Sequence, residues 1–185
     1  MNTVVTSKDE ILKASRELIR QHGWSAVSIR SVAAACGVSV GSIYNYFSSK
    51  SDLIGATVES VWCEIFHRPE DDAVFHDVRA CITWIYARMA YGHERYPGFF
   101  TLHSLGFMRE EKDDGKRRMQ HTWQHIFKGL CTVLKQDEKI RKDAFNEHFT
   151  AEKFAGVLFS QMLSALLQQD YDPSAVLEIV RRTLY

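Results

Sequence analysis

Little in this chain marks a secreted, membrane-spanning or catalytic protein. Its four cysteines (Cys36, Cys63, Cys81, Cys131) lie far apart and form no C-x-x-C, so the spacing encodes neither a disulfide framework nor a thiolate metal knuckle. No basic stretch followed by an apolar run opens the sequence. A cytoplasmic location with reduced thiols is therefore expected, without a secretory signal. Only three prolines occur (Pro69, Pro97, Pro173), each near a helix boundary. The period-two alternation of half-buried strands is missing, and apolar residues recur at three and four instead. There is no glycine-rich phosphate loop behind a strand, no nucleophile elbow and no paired-acid motif. No catalysis is expected, and no cofactor or metal is assigned. Formal net charge is zero, so overall charge makes no case for nucleic acid.

What is present describes an all-α globular protein. At 45% hydrophobic and 25% charged, 185 residues suffice for one ordinary core, or one core and a small module. Charge is unevenly placed. Residues 1–50 hold six Lys/Arg against three acids, leaving 17 against 20 for the remainder, so a +3 head precedes a −3 body. That split suits phosphate contact through the head.

The most informative stretch is Ser28 to Lys50. Ile29, Val32, Ala33 and Cys36 mark one face of a helix capped by Ser28. Gly37 supplies the turn, and Ser39 caps a further helix with Val40, Ile43 and Phe47 inward. Gly41, Ser42 and Asn45 then point outward, flanked by Tyr44 and Tyr46. This short uncharged face of hydroxyls, an amide and aromatic edges has the chemistry to read bases in a major groove. Gly41 inside a helix costs about 1 kcal/mol against Ala, which close approach to another surface would explain. Lys50, following the Ser49 cap, opposes the helix macrodipole unless a phosphate docks there.

Ala33, Gly37-Val38-Ser39, Gly41, Ile43, Tyr44, Tyr46, Phe47, Lys50 and Leu53 together fit the pattern A-x-x-G-V-S-x-G-x-x-Y-x-[HY]-F with a following K-x-x-L. In this the chain resembles the TetR family of bacterial transcription regulators. The resemblance covers the first third of the sequence. It implies a three-helix, helix-turn-helix DNA-binding domain at residues 1–49 and an antiparallel helical ligand-binding and dimerisation domain at 50–185. It further implies a dimer on a palindromic operator, usually a repressor, released by a small-molecule effector. Val40, Ser42, Tyr44, Asn45 and Tyr46, with Gly41 allowing close approach, are expected at bases or sugar edges. Ser28, Arg30, Ser39 and Lys50 are expected at phosphates.

Earlier, Ser7 to Glu10 forms a capping box for a first helix, ended at Gly23. Later, helices are expected at about 50–66, 74–96, 99–108, 117–136 and 150–169, and from Asp172-Pro173 onward. The many aromatics between Trp84 and Phe127 pack poorly together and favour a cavity. Its expected lining is Trp62, Phe66, Trp84, Arg88, Met89, Phe100, His103, Phe107, Met119, Trp123 and Phe127. Residues 154–169 carry no charge and are apolar on nearly every side, so they must be buried all round. A second copy would supply the outer cover, through Phe154, Leu158, Met162, Leu166, Val176 and Val180, with Gly156, Ser160 and Ser164 admitting a close partner. An alternative is a redox- or metal-responsive regulator using Cys63 and Cys81 or the His121/His125 pair.

Overall fold

Capping chemistry sets where the helices begin. The computed structural model describes residues 6–67, 72–100 and 113–185, with side chains described outside 72–73 and 113–122. Ser7 opens α1 (Lys8–His22) through a reciprocal box: the Glu10 amide donates to Ser7 Oγ at 3.2 Å, and the Ser7 amide to Glu10 Oε2 at 2.9 Å. Ser28 opens α2 (Ile29–Cys36) in the same way, with Ser31 as reciprocal partner. Gly37 ends α2 at φ +66°, a conformation that costs other L-residues about 1–2 kcal/mol. Its amide donates to the Ala34 carbonyl and that of Val38 to the Ala33 carbonyl, the two bonds of a Schellman turn. Ser39 then caps α3 (Val40–Tyr44) through the Ser42 amide at 3.1 Å. For α4 (Lys50–Ile65), Ser49 Oγ accepts from the Asp52 amide, and the Asp52 carboxylate accepts from the amide and hydroxyl of Ser48.

Packing divides the described residues into two units. The first comprises those of Met1–Glu64 and Gly92–Gln120. Here α1 packs on α2, and α2 on α3, around Ile11, Ile19, Val32, Ile43 and Phe47. Leu53, Thr57 and Val61 of α4 are buried as their spacing predicts, and the Thr57 hydroxyl is satisfied by the Leu53 carbonyl at 2.8 Å. Ser15, which the apolar pattern passes over, is also buried, with its hydroxyl on the Ile11 carbonyl. Trp62 closes onto Phe99 and Phe100, with ring centroids 5.7 and 5.4 Å away.

The second unit comprises the described residues of Ile65–Tyr91 and His121–Tyr185. A short 3₁₀ turn (Asp72–His76) precedes α5 (Val78–Arg95), so the helix starts later than the apolar spacing suggests. The part of α6 (Asp113–Gln136) from His121 onward, α7 (Ala151–Gln168, capped by Thr150) and α8 (Ser174–Leu184) complete it. α8 starts one residue later than expected, with Asp172 rather than Pro173 satisfying the first amide. Residues 137–149 form turns, and Asp137 anchors them. It is buried, and its carboxylate accepts from the Val78 amide, the Lys139 amide and the Tyr185 hydroxyl.

Among the described residues there are eight α-helices and no strand, as expected for an all-α chain. None is long and apolar enough to cross a membrane. The expected short helix at 99–108 falls mostly outside the described residues.

The six residues assigned to a dimer interface need correction. Phe154, Leu158, Met162, Leu166, Val176 and Val180 are all buried within the chain itself. Leu158, Met162 and Val176 converge with Ile82, Ile85 and Leu130, so this side of α7 faces the unit's own core. A helix apolar all round does need two covering surfaces, but these residues lie on the one already covered. The other side carries Val157 and Leu167 on α7 and Ile179 on α8, each about half exposed or more.

Candidate nucleic-acid interface and ligand cavity

The helix-turn-helix is built from the bottom up. Ile43 and Phe47 are fully buried and fix α3 on the bundle, while Lys8 lies over the Phe47 ring at 5.7 Å. Anchoring this side turns the opposite one to solvent. Tyr44 is 51% exposed and Val40 40%, with Gly41 and Asn45 beside them and Ser42 half-buried. Val40 therefore does not join the inward face with Ile43 and Phe47, because the turn of α3 carries it to the outer edge.

Tyr46 differs from the other outward residues. Its ring is exposed, but its hydroxyl donates to the Thr6 carbonyl at 2.5 Å. That fixes the ring against the start of the chain and leaves only a ring edge to offer. Ser39 and Ser42 share a hydroxyl contact at 2.9 Å, and the Ser28 hydroxyl is engaged in its capping box. Arg30 and Lys50 are exposed. Arg16 is bound to Ser60 and Glu64 within the first unit, and Arg20 pairs with Glu17. Burial alone would raise the Glu64 carboxyl's pKa. The Tyr96 hydroxyl, Arg95 and Arg16 outweigh it and hold the group below the usual carboxylate range.

A cavity of about 480 Å³ lies in the second unit. Its floor is buried and apolar: Cys81, Ile85, Leu130 and Val133. Its wall is half-buried, with Ile126 and the rings of Phe66, Phe75 and Trp84. Trp84 meets Phe75 and Phe66 edge to face, with centroids 5.5 and 6.1 Å apart. Its rim is exposed: His76, His125, Gly129, Thr132 and Gln136.

Of the expected lining, Phe66 and Trp84 are in this cavity. Trp62 and Phe100 pack together in the first unit, and Met89 is fully buried elsewhere. Arg88 donates to the Ile65 carbonyl and stacks over Tyr91 at 4.3 Å. Trp123 and Phe127 meet Phe159 edge to face. His103, Phe107 and the side chains of Met119 and His121 lie outside the described residues. Aromatic density alone could not separate rings that fill a core from rings that face a void. Phe75 and His76 were missed because they sit on a 3₁₀ turn that carries no helical period.

Of the two thiols considered for redox sensing, Cys81 is buried and Cys63 exposed. Burial pushes the Cys81 thiol up to about 12, and burial followed by a nearby glutamate raises Cys36, Cys63 and Cys131. The thiolate is the reactive form. Among the described residues no group of His, Cys, Asp or Glu gathers in a way that could hold a metal.

Comparison with known proteins matches residues 11–57 to the model of bacterial regulatory proteins, tetR family. The transcriptional regulator UidR of Escherichia coli K12 is 33% identical over 52 residues, 28% of this chain and 26% of that protein. The regulator AlkX of Mycobacterium tuberculosis is 41% identical over 46 residues, 25% of this chain and 22% of that protein. The matched stretch thus spans about a quarter of these relatives' length. Two solved structures share the fold along the whole chain. The transcriptional regulator FadR from Bacillus subtilis, in complex with stearoyl-CoA, has a TM-score of 0.69 at 17% identity, covering 97% of this chain and 100% of that one. Reduced Escherichia coli NemR has 0.67 at 19% identity, covering 96% and 97%. The matched residues contain α2, the Gly37 turn and α3, and over this stretch the chain is similar to the TetR family of bacterial regulatory proteins.

Proposed function

We propose that this protein is a DNA-binding transcriptional regulator, acting in the cytoplasm as a dimeric repressor. It binds an inverted-repeat operator and leaves it when a small molecule binds. The observation that carries this reading is α3: two fully buried residues hold it in place, and its exposed edge presents Val40, Tyr44 and Asn45 without a charge. Arg30 and Lys50, both exposed, supply phosphate contacts beside that edge.

Dimerisation uses the outward side of α7 and α8. Val157, Leu167 and Ile179 give it apolar area. Gly156, Ser160 and Ser164 keep it low, and the Ser160 hydroxyl is already satisfied by the Gly156 carbonyl at 2.9 Å. A twofold dimer places two α3 helices about one DNA turn apart, or a multiple of it, on an inverted repeat. The effector enters the cavity. Phe66 follows the last turn of α4, so a ligand that displaces it acts on the helix whose first residue is Lys50. The raised thiols weigh against the redox alternative, and every relative named above is a regulator rather than an enzyme.

Selection of bound fragments from random and host genomic DNA tests the reading. Enrichment of one inverted repeat supports it. Equal retention of every duplex, or a monomer at micromolar concentration in sedimentation, refutes it.

A further inference from the structure

One residue on the rim of the cavity stands out. Gly129 lies in the interior of α6, where glycine is the least helix-favouring residue apart from proline. Close packing does not require it, since a Cβ built there meets no atom within 4 Å. The open space it faces is the mouth of the cavity.

The lining also has a chemical order. Buried apolar groups form the floor, three rings set edge to face form the wall, and His76, His125 and Gln136 bring hydrogen-bonding groups to the rim. Among the described lining residues there is no Asp, Glu, Lys or Arg. A charged ligand would lose its hydration with no fixed charge to replace it. The volume of about 480 Å³ is roughly three times that of a cavity able to hold one benzene.

We propose that this cavity binds an uncharged planar aromatic molecule of two or three rings, with one hydroxyl or carbonyl at its outer end, and that Gly129 is the gap through which it enters. The rings slide between Trp84 and the apolar floor, and the polar end stays with the rim histidines. This deepens the effector reading and rests on it.

The test uses the full-length protein and calorimetric titration with four probes: flavone, 2-naphthol, decanoate and proflavine cation. Flavone and 2-naphthol are expected to bind, with decanoate and proflavine at least tenfold weaker. Gly129→Leu should lose at least tenfold in flavone affinity while its Tm stays equal or rises, and Gly129→Ala should lose less with the same or higher Tm. Absence of binding by both ring probes overturns the inference. So does stronger binding of decanoate or proflavine, or unchanged flavone affinity in Gly129→Leu. Fragment selection on DNA is read separately. An enriched operator without ring-probe binding sinks this inference and spares the regulator reading, and ring-probe binding without DNA retention does the reverse.

Discussion

Tyr44 and Phe47 are three residues apart, yet their truncation should fail in opposite ways. Phe47 is 1% exposed. Its removal to Ala leaves a cavity beneath α3 and costs about 3–5 kcal/mol. At about 2–4 °C per kcal/mol for a chain of this size, Tm falls by roughly 6–20 °C. Tyr44 has half its surface in water. Its truncation removes little packing, and alanine's better helix propensity, worth roughly 0.5 kcal/mol, offsets part of that. Tm should therefore move by no more than about 2 °C. On DNA the order reverses. Tyr44→Ala removes a groove contact worth roughly 1–3 kcal/mol, so discrimination between the selected operator and an unrelated duplex falls by about 5- to 150-fold. Circular dichroism melts and fluorescence anisotropy on both duplexes measure the pair. If Tyr44→Ala keeps full discrimination with an unchanged melt, α3 does not dock by the edge described here.

Lys50→Ala should weaken every duplex alike and flatten the salt dependence by about one unit, measured by anisotropy across a salt series. Leu167→Glu should convert a dimer to a folded monomer in sedimentation, whereas Leu158→Glu places a charge in the core and should unfold the chain. Gly37→Ala meets no steric obstacle, so its cost is the left-handed backbone alone, about 1–2 kcal/mol in denaturant titration. The lowered pKa of Glu64 gives it a stabilising contribution that is present above the ordinary 4.5 and lost as pH falls through the folded value. Glu64→Gln should accordingly flatten the acid limb of the stability curve below about pH 4.5.

The head of the chain was legible because its signals are local. Ser7, Ser28 and Ser39 each cap within three residues, and Gly37 needs no distant partner to turn the chain. The body was legible only in outline. The sequence of α7 says that two sides need cover, and which side the chain covers for itself depends on α5, α6 and α8. The six residues expected at a dimer interface are for that reason the ones the chain buries against itself. Tyr46 is a similar case: its outward position follows from helical spacing, but the bond to Thr6 joins residues far apart in sequence. The partners of Arg16, Ser60 and Glu64, are likewise distant along the chain.

Asp137 ties together places that lie far apart in sequence. One carboxylate takes the first amide of α5, the amide of Lys139 and the phenol at Tyr185, while the Arg141 amide holds the Leu184 carbonyl beside it. None of these segments can loosen without breaking a hydrogen bond to a buried side chain. The amides of Val78 and Lys139 should thus show matched protection in hydrogen exchange, and the second unit should melt from this end as one block rather than fray helix by helix.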